Sequence, residues 1–261
     1  MHEAIRQLFD LTGKTALVTG GSRGLGLQLA QTLGQAGARV IVTARKADEL
    51  RDAQRKLAEL GIDADWIAAN GAQDDDIARI ADEALEKLGH VDILVNNAGA
   101  TWGAPAEDYP ADAWDKVFDL NVRGLFLLTQ QIGKRSMIPR GAGRVVNVAS
   151  IAGLRGNAPG AMTTIAYNSS KGAVVNFTRT LAGEWGRYGI NVNALAPGFF
   201  PTRMANGLLA EMGVDKLVAH TPLQRLGADG DLAGALLLFA SPAGRHITGQ
   251  ILAVDGGVSA V

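Results

Sequence analysis

Tyr167 and Lys171 stand four residues apart in Tyr167-Asn168-Ser169-Ser170-Lys171, within a stretch whose pattern predicts a helix over about 165–188. Residues i and i+4 share a helix face, so the phenol and the ammonium should meet. A phenol with a pKa near 10 is a poor proton donor and acceptor at neutral pH. A neighbouring ammonium favours the phenolate and should lower that pKa toward the range useful for general acid/base chemistry. Ser150 closes a predicted strand and precedes Ile151-Ala152-Gly153. Its hydroxyl is expected at the carboxyl edge of a sheet, where ligands bind in open α/β folds. Asn121, in Leu120-Asn121-Val122, falls inside a predicted long helix, where a polar residue either faces solvent or is recruited to a site.

A second group of residues suits anion binding. Thr19-Gly20-Gly21-Ser22-Arg23-Gly24-Leu25-Gly26 sits where a strand becomes a helix, and a helix N-terminus favours a phosphate. Glycines let the chain turn and let a pyrophosphate approach the backbone. The spacing is G-x-x-x-G-x-G, which is neither the generic dinucleotide fingerprint nor a Walker A loop. The same residues fit G-x-S-x-G, the nucleophile elbow of a serine hydrolase. That rival reading makes Ser22 the nucleophile and His246 a candidate base.

Short apolar runs alternate with helical stretches from end to end. Strands are predicted over 15–20, 39–44, 64–70, 92–97, 144–150, 190–197 and 250–255. Helices are predicted over 25–34, 48–60, 74–89, 111–137, 165–188 and 231–240. The strands are continuous apolar runs, as expected for strands covered on both faces. The expectation is α/β: one doubly wound domain over 1–261, with a seven-stranded parallel sheet and helices on both faces. About 198–227 lacks a clean period, contains Pro201 and Pro222, and reads as a substrate flap.

Composition narrows the function. The 261 residues carry 25 Lys+Arg against 26 Asp+Glu, a net charge of −1, so no polybasic field exists to hold nucleic acid or an anionic membrane. Zero cysteines remove thiolate chemistry and suit a reducing, cytoplasmic setting. The four histidines, at 2, 90, 220 and 246, form no close pair, so no metal is expected. The first residues do not read as a signal peptide and no apolar run is long enough to span a membrane. The 33 glycines are nearly twice the usual share of ~7% and imply many tight turns.

Together with Asn96-Asn97-Ala98-Gly99 and Pro197-Gly198 followed by Thr202, these motifs come in a familiar order. From about Thr12 to the C-terminus the chain resembles the short-chain dehydrogenase/reductases of the single-domain Rossmann kind. The resemblance implies Tyr167 as the acid/base, Lys171 as holder of the nicotinamide ribose, and Ser150 as hydrogen-bond donor to the substrate oxygen. It implies that Asn121 holds a water in a proton relay. Cofactor binding would fall to Gly20, Ser22, Arg23, Gly24, Leu25, Gly26, Asn97, Ala98, Gly99, Pro197, Gly198 and Thr202, with Tyr167 and Lys171. The implied reaction is hydride transfer between a nicotinamide and a ketone or secondary alcohol. 3-Oxoacyl thioester reduction and oxidation of gluconate-type sugar acids are the similar activities. A homotetramer built on the long helices and the C-terminal segment is implied as well.

An NAD enzyme of this fold usually has an acidic residue at the end of the second strand. Here the strand runs into Ala44-Arg45-Lys46, with no carboxylate to repel a 2′-phosphate. Arg45 and Arg23 suit that phosphate, so NADP(H) is expected over NAD(H). Two departures from the family stand out. Asn70-Gly71 replaces a common Asp near the adenine, where Asp76 is a possible substitute. The gap from Ser150 to Tyr167 is long, and Leu154–Met162 should help wall the substrate pocket. Trp102, Phe199, Phe200 and Met204 could add apolar surface, while Arg155 and Arg203 are anchors for an acid or a thioester phosphate. A non-catalytic nucleotide sensor is disfavoured, because it has no need of Tyr167, Lys171, Ser150 and Asn121 together.

Overall fold

Every residue of strand β1 (Thr15–Thr19) is buried, as a strand with helices on both faces requires. The computed structural model describes residues 2–157, 162–203 and 213–261. β1 is joined by β2 (Arg39–Ala44), β3 (Ala64–Ala68), β4 (Ile93–Asn96), β5 (Gly143–Val148), β6 (Ile190–Pro197) and β7 (Ile251–Val254). All seven pair in parallel in the order β3-β2-β1-β4-β5-β6-β7. The order reverses between β1 and β4, and such a switch point opens a crevice beyond the carboxyl ends of the strands.

Alternation along the strands feeds two cores. Ala16 and Val18 pack with Leu29 and Leu33 of helix α2 (Gly24–Gln35), and with Leu236 and Phe239 of the C-terminal helix at Ala233–Ala240. Leu50 and Leu57 of α3 (Ala47–Glu59) join the same face. Leu17 points the other way, onto Ile77 and Ile80 of α4 (Asp74–Leu88), Ile132 and Leu181. A one-residue slip of β1 would exchange the two sets, so burial fixes the register.

The predicted elements are present, with ends shifted by a few residues, and one helix was not anticipated. That helix, α1 (Glu3–Phe9), buries none of its residues, so no apolar stripe marked it. The predicted long helix, α5, runs over 111–140 but is not regular: wider π turns occupy Asp119–Gly124 and Gly133–Met137. The first ends at Gly124, where a Cβ would overlap the Gly71 carbonyl oxygen. α6 (Ile165–Trp185) follows β5, and α7 (Val214–Ala219) lies in the flap region before α8 (Ala233–Ala240). Of the expected wall and flap residues, Pro159 and its neighbours 158 and 160–161, and Met204 lie outside the described residues. Among the described residues no helix is long and apolar enough to cross a membrane.

Candidate active site

The β1–α2 turn is held in shape by its glycines. Gly20 and Gly24 adopt φ of 66° and 54°, a region that other residues rarely adopt. Gly26 lies against the Gly20 carbonyl and the Asn97 amide, with no room for a Cβ. α2 begins without a side-chain cap and without an acidic residue in its first turn. Its first N–H groups and its positive dipole end are therefore open to an anion, which fits a dinucleotide pyrophosphate. Thr202 flanks the same spot, since a Cβ on Gly24 would meet its Cγ2 at 3.6 Å.

Asn97 ties this turn to β4. Its Nδ2 donates to the carbonyls of Thr19 (2.9 Å) and Gly20 (3.2 Å), while the Asn97 and Ala98 N–H groups donate to Thr19 Oγ1 at 3.0 Å. Beneath it lies a polar ladder of which the sequence marked only Asn96, through the resemblance that gives Asn96–Gly99 a role in stiffening the central strand. Asn96 Nδ2 donates to Thr129 Oγ1 and Asn147 Oδ1, and Asn147 Nδ2 donates to Thr178 Oγ1, all at 2.9 Å. Thr129 and Thr178 donate in turn to the Leu125 and Val174 carbonyls of their own helices. The ladder braces β4 and β5 against α5 and α6 directly under the site. Its sequence signal was a lone Asn in the apolar run Val145–Val148.

Tyr167, Lys171, Ser150 and Asn121 do converge. Tyr167 and Lys171 lie on the first two turns of α6, and Lys171 Nζ is 5.7 Å from the centre of the phenol ring. Lys171 is buried and donates to the Val148 carbonyl at 2.7 Å. Ser150 lies close enough to the Tyr167 phenol to act on its pKa, and its Oγ accepts from Ala152 N–H at 3.1 Å. Gly99 lets the chain pass close by: a Cβ there would sit 3.4 Å from Asn121 Oδ1 and 3.6 Å from Lys171 Nζ.

The electrostatics correct one expectation. Burial pushes the half-buried Tyr167 phenol up from its ordinary pKa, and neighbouring Ser150 only partly opposes this. The expected depression by Lys171 does not offset this burial, and the lysine's own desolvation lowers its pKa to about 8. Asn121 joins the cluster through its amide. Its Nδ2 donates to the Ala100 carbonyl and to Ser170 Oγ, both at 2.9 Å, and its Oδ1 accepts from Ala100 N–H at 2.8 Å. With both amide N–H groups engaged, the side chain clamps the loop after Gly99 onto α6. Ser170, not singled out from sequence, completes that clamp by donating to the Tyr167 carbonyl at 2.8 Å.

A cavity of about 1730 Å³ joins these parts, from Arg45 at one end to Lys216 and His220 at the other. A match to the family model described as enoyl-(acyl carrier protein) reductase covers residues 20–259. The chain belongs to the short-chain dehydrogenase/reductase family. It is 40% identical over 254 residues to the gluconate 5-dehydrogenase of Gluconobacter oxydans, covering 97% of each chain. It is 39% identical over 253 residues to the rhamnolipids-biosynthesis 3-oxoacyl-(acyl-carrier-protein) reductase of Pseudomonas aeruginosa, covering 95% of this chain and 97% of that protein. The crystal structure of a gluconate 5-dehydrogenase from Burkholderia cenocepacia in complex with NADP and tartrate superposes with a TM-score of 0.92. It is 34% identical and covers 98% of this chain and 99% of that one.

This dehydrogenase/reductase is therefore an oxidoreductase acting on CH–OH or carbonyl groups, and the hydrolase reading fails on geometry too. Positive φ falls on Gly20 and Gly24, so Ser22 is not the strained residue of an elbow. The Ser22 hydroxyl donates to Glu49 Oε2 at 3.4 Å, and His246 is exposed and does not line the cavity.

The nucleotide end of this oxidoreductase also differs from expectation. β2 does end without an acidic residue, and Arg45 lines the cavity with no ion-pair partner among the described residues. A carboxylate is nonetheless present. Glu49, in the first turn of α3, lines the same end and accepts from Arg23 Nη1 at 2.7 and 2.8 Å. Burial pushes the Glu49 carboxyl up, but Arg23 and Lys46 outweigh it and hold the group below its ordinary range. The strand-end rule missed it because the helix carries the residue back to the cavity. Asn70 lines the cavity, but its Oδ1 accepts from Ala72 N–H at 3.2 Å. Asp76 is taken by Asn70 N–H (2.6 Å) and Arg79 (2.7 Å) and does not line the cavity.

At the far end Trp102, Arg155, Asn157, Met162, Phe199, Phe200 and Arg203 line the wall as expected. Pro197 closes β6, and Gly198, pressed on Asp255 with no room for a Cβ, starts the exit toward Thr202.

Proposed function

We propose that this enzyme is an NADP(H)-dependent carbonyl reductase and secondary-alcohol dehydrogenase, with 3-oxoacyl-type ketones as its first substrate class. The observation that carries the reading is the meeting of Tyr167, Ser150 and Lys171 in one cavity with the uncapped N-terminus of α2. The α2 N–H groups, Gly20–Gly26, Asn97–Gly99, Lys171 and Thr202 would hold the dinucleotide, and Arg45 would meet its 2′-phosphate. When bound, the dinucleotide supplies or accepts the hydride. The chain's own part is orientation and a proton.

In the reducing direction the Ser150 hydroxyl donates to the carbonyl oxygen and fixes it beside Tyr167. Burial keeps the phenol protonated at neutral pH, so Tyr167 can donate to that oxygen as charge develops there. Lys171, with a pKa of about 8, is largely an ammonium at neutral pH and supports the phenolate left behind. Asn121 and Ser170 keep the loop and α6 in register throughout.

Support for NADP(H) over NAD(H) comes from Arg45, which lines the cavity without an ion-pair partner among the described residues, and from NADP in the Burkholderia cenocepacia relative. The second substrate reading is a gluconate-type sugar acid. It is favoured by the gluconate 5-dehydrogenase relatives and by Arg155, Arg203 and Lys216 at the substrate end. We take the protein as one domain with a substrate flap at about 198–227. We take it as a cytoplasmic homotetramer, on family likeness and on the exposed Phe126 of α5 packed edge-on to Phe177 of α6. A panel of 3-oxoacyl thioesters, sugar acids and simple ketones, assayed with NADPH and NADH at the nicotinamide absorbance, tests the reading. Oxidation of NADPH by the 3-oxoacyl thioesters supports it, and turnover of none of them refutes it.

A further inference from the structure

The cavity is lined by cationic side chains along its length, yet it holds a single carboxylate among its described lining residues, Glu49. That carboxylate sits in the first helical turn after β2, the strand whose end carries the ribose-binding acid of NAD sites. It contacts three neighbours that also line the cavity: Arg23 Nη1 at 2.7 and 2.8 Å, Lys46 Nζ at 3.4 Å and Ser22 Oγ at 3.4 Å. Both Arg23 contacts use one nitrogen, so the guanidinium is held end-on and not in the two-pronged grip that a phosphate offers. A phosphate arriving there would meet Arg23 already neutralised and a negative charge beside it. A ribose 2′-hydroxyl would meet a carboxylate able to accept its hydrogen bond, the role that an acidic residue plays in NAD sites.

We propose that Glu49 is a cofactor-discrimination residue: it weakens binding of the 2′-phosphate, supports the 2′-hydroxyl, and so narrows the preference for NADP(H) over NAD(H). The inference rests on the NADP(H) reading given above and adds to it a residue that opposes the preference. It accounts for a site that carries Arg45 and Lys46 for a phosphate and still contains an acid. Arg23 changes partner in this scheme, from Glu49 when NAD(H) is bound to the phosphate when NADP(H) is bound.

The test is equilibrium binding of NADPH and NADH to the full-length protein, by calorimetry or cofactor fluorescence, in wild type, Glu49→Gln and Glu49→Ala. One carboxylate facing a doubly charged phosphate across a guanidinium, on the order of 6 Å away in water-like surroundings, is worth about a factor of ten. Glu49→Gln should therefore tighten NADPH about tenfold at low salt and leave NADH unchanged or weaker, with Glu49→Ala moving the same way. The gain should shrink at high salt. Asp48→Asn removes the same charge one residue away, from an exposed carboxylate that pairs with Arg51 and does not line the cavity; it should change neither constant. NADPH binding that is unchanged or weaker in both Glu49 variants overturns the proposal, because Glu49 would then only orient Arg23. Equal tightening of both cofactors overturns it as well. A wild-type preference for NADH would refute the NADP(H) reading alone, since the proposal is read from the change in the ratio.

Discussion

Replacing Lys171 by Met should reveal what the active site costs the fold. Burial lowers the Lys171 pKa to about 8 from an ordinary 10.5. Between those values the unfolded chain holds a proton that the folded chain has released, so unfolding takes up a proton and stability rises with pH. Below the lower value both states are protonated, and the folded protein carries the whole penalty of a desolvated ammonium. At ~1.4 kcal/mol per factor of ten in proton affinity, that penalty is about 3 kcal/mol. Moving from about pH 7 to about pH 9.5 should recover roughly 2 kcal/mol of it. Methionine has similar length and no proton to lose, although it leaves the Val148 carbonyl without its donor at every pH. Urea unfolding of both proteins at the two pH values is the assay. Wild type should gain roughly 2 kcal/mol relative to Lys171→Met, because groups common to both cancel. A difference that stays flat, or that falls with rising pH, means burial does not depress this lysine.

Two further outcomes follow from the same geometry. Gly26→Ala would drive a methyl into the Gly20 carbonyl and the Asn97 amide; dinucleotide binding should fall at least about tenfold with a loss of roughly 1–3 kcal/mol in stability, and wild-type affinity in calorimetry would mean the turn is not the binding cradle. Alcohol oxidation needs the phenolate of Tyr167, which burial disfavours at neutral pH, so kcat/KM for oxidation should climb toward alkaline pH while that for reduction holds or falls; an oxidation profile already flat from about pH 6 is the opposite outcome.

Much of this was legible in the chain itself. Continuous apolar strands such as Thr15–Thr19 gave away a sheet covered on both faces, and Tyr167, Lys171 and Ser150 meet where their spacing and strand end required. What could not be read depended on three-dimensional context. The Tyr167 phenol rises because its own desolvation outweighs the opposing effect of Ser150, and burial is not visible in a four-residue spacing. The π turn at Asp119–Gly124 aims the Asn121 amide at Ala100 and Ser170, partners that no sequence spacing announces. Glu49 lies one helical turn beyond the end of β2, outside the strand end where such an acid usually stands. α1 left no pattern, since it buries nothing.

The central claim is that Tyr167 hands the proton to a carbonyl oxygen while the nicotinamide hands over its hydride. It is tested most directly with NADPH deuterated at the transferring position and a 3-oxoacyl thioester, in wild type and Tyr167→Phe. Deuterium should appear on the carbinol carbon with wild type. The variant should bind NADPH as tightly but transfer label about 10²–10⁴-fold more slowly. Transfer at the wild-type rate by Tyr167→Phe would remove the phenol from the reaction, and with it the assignment of this site.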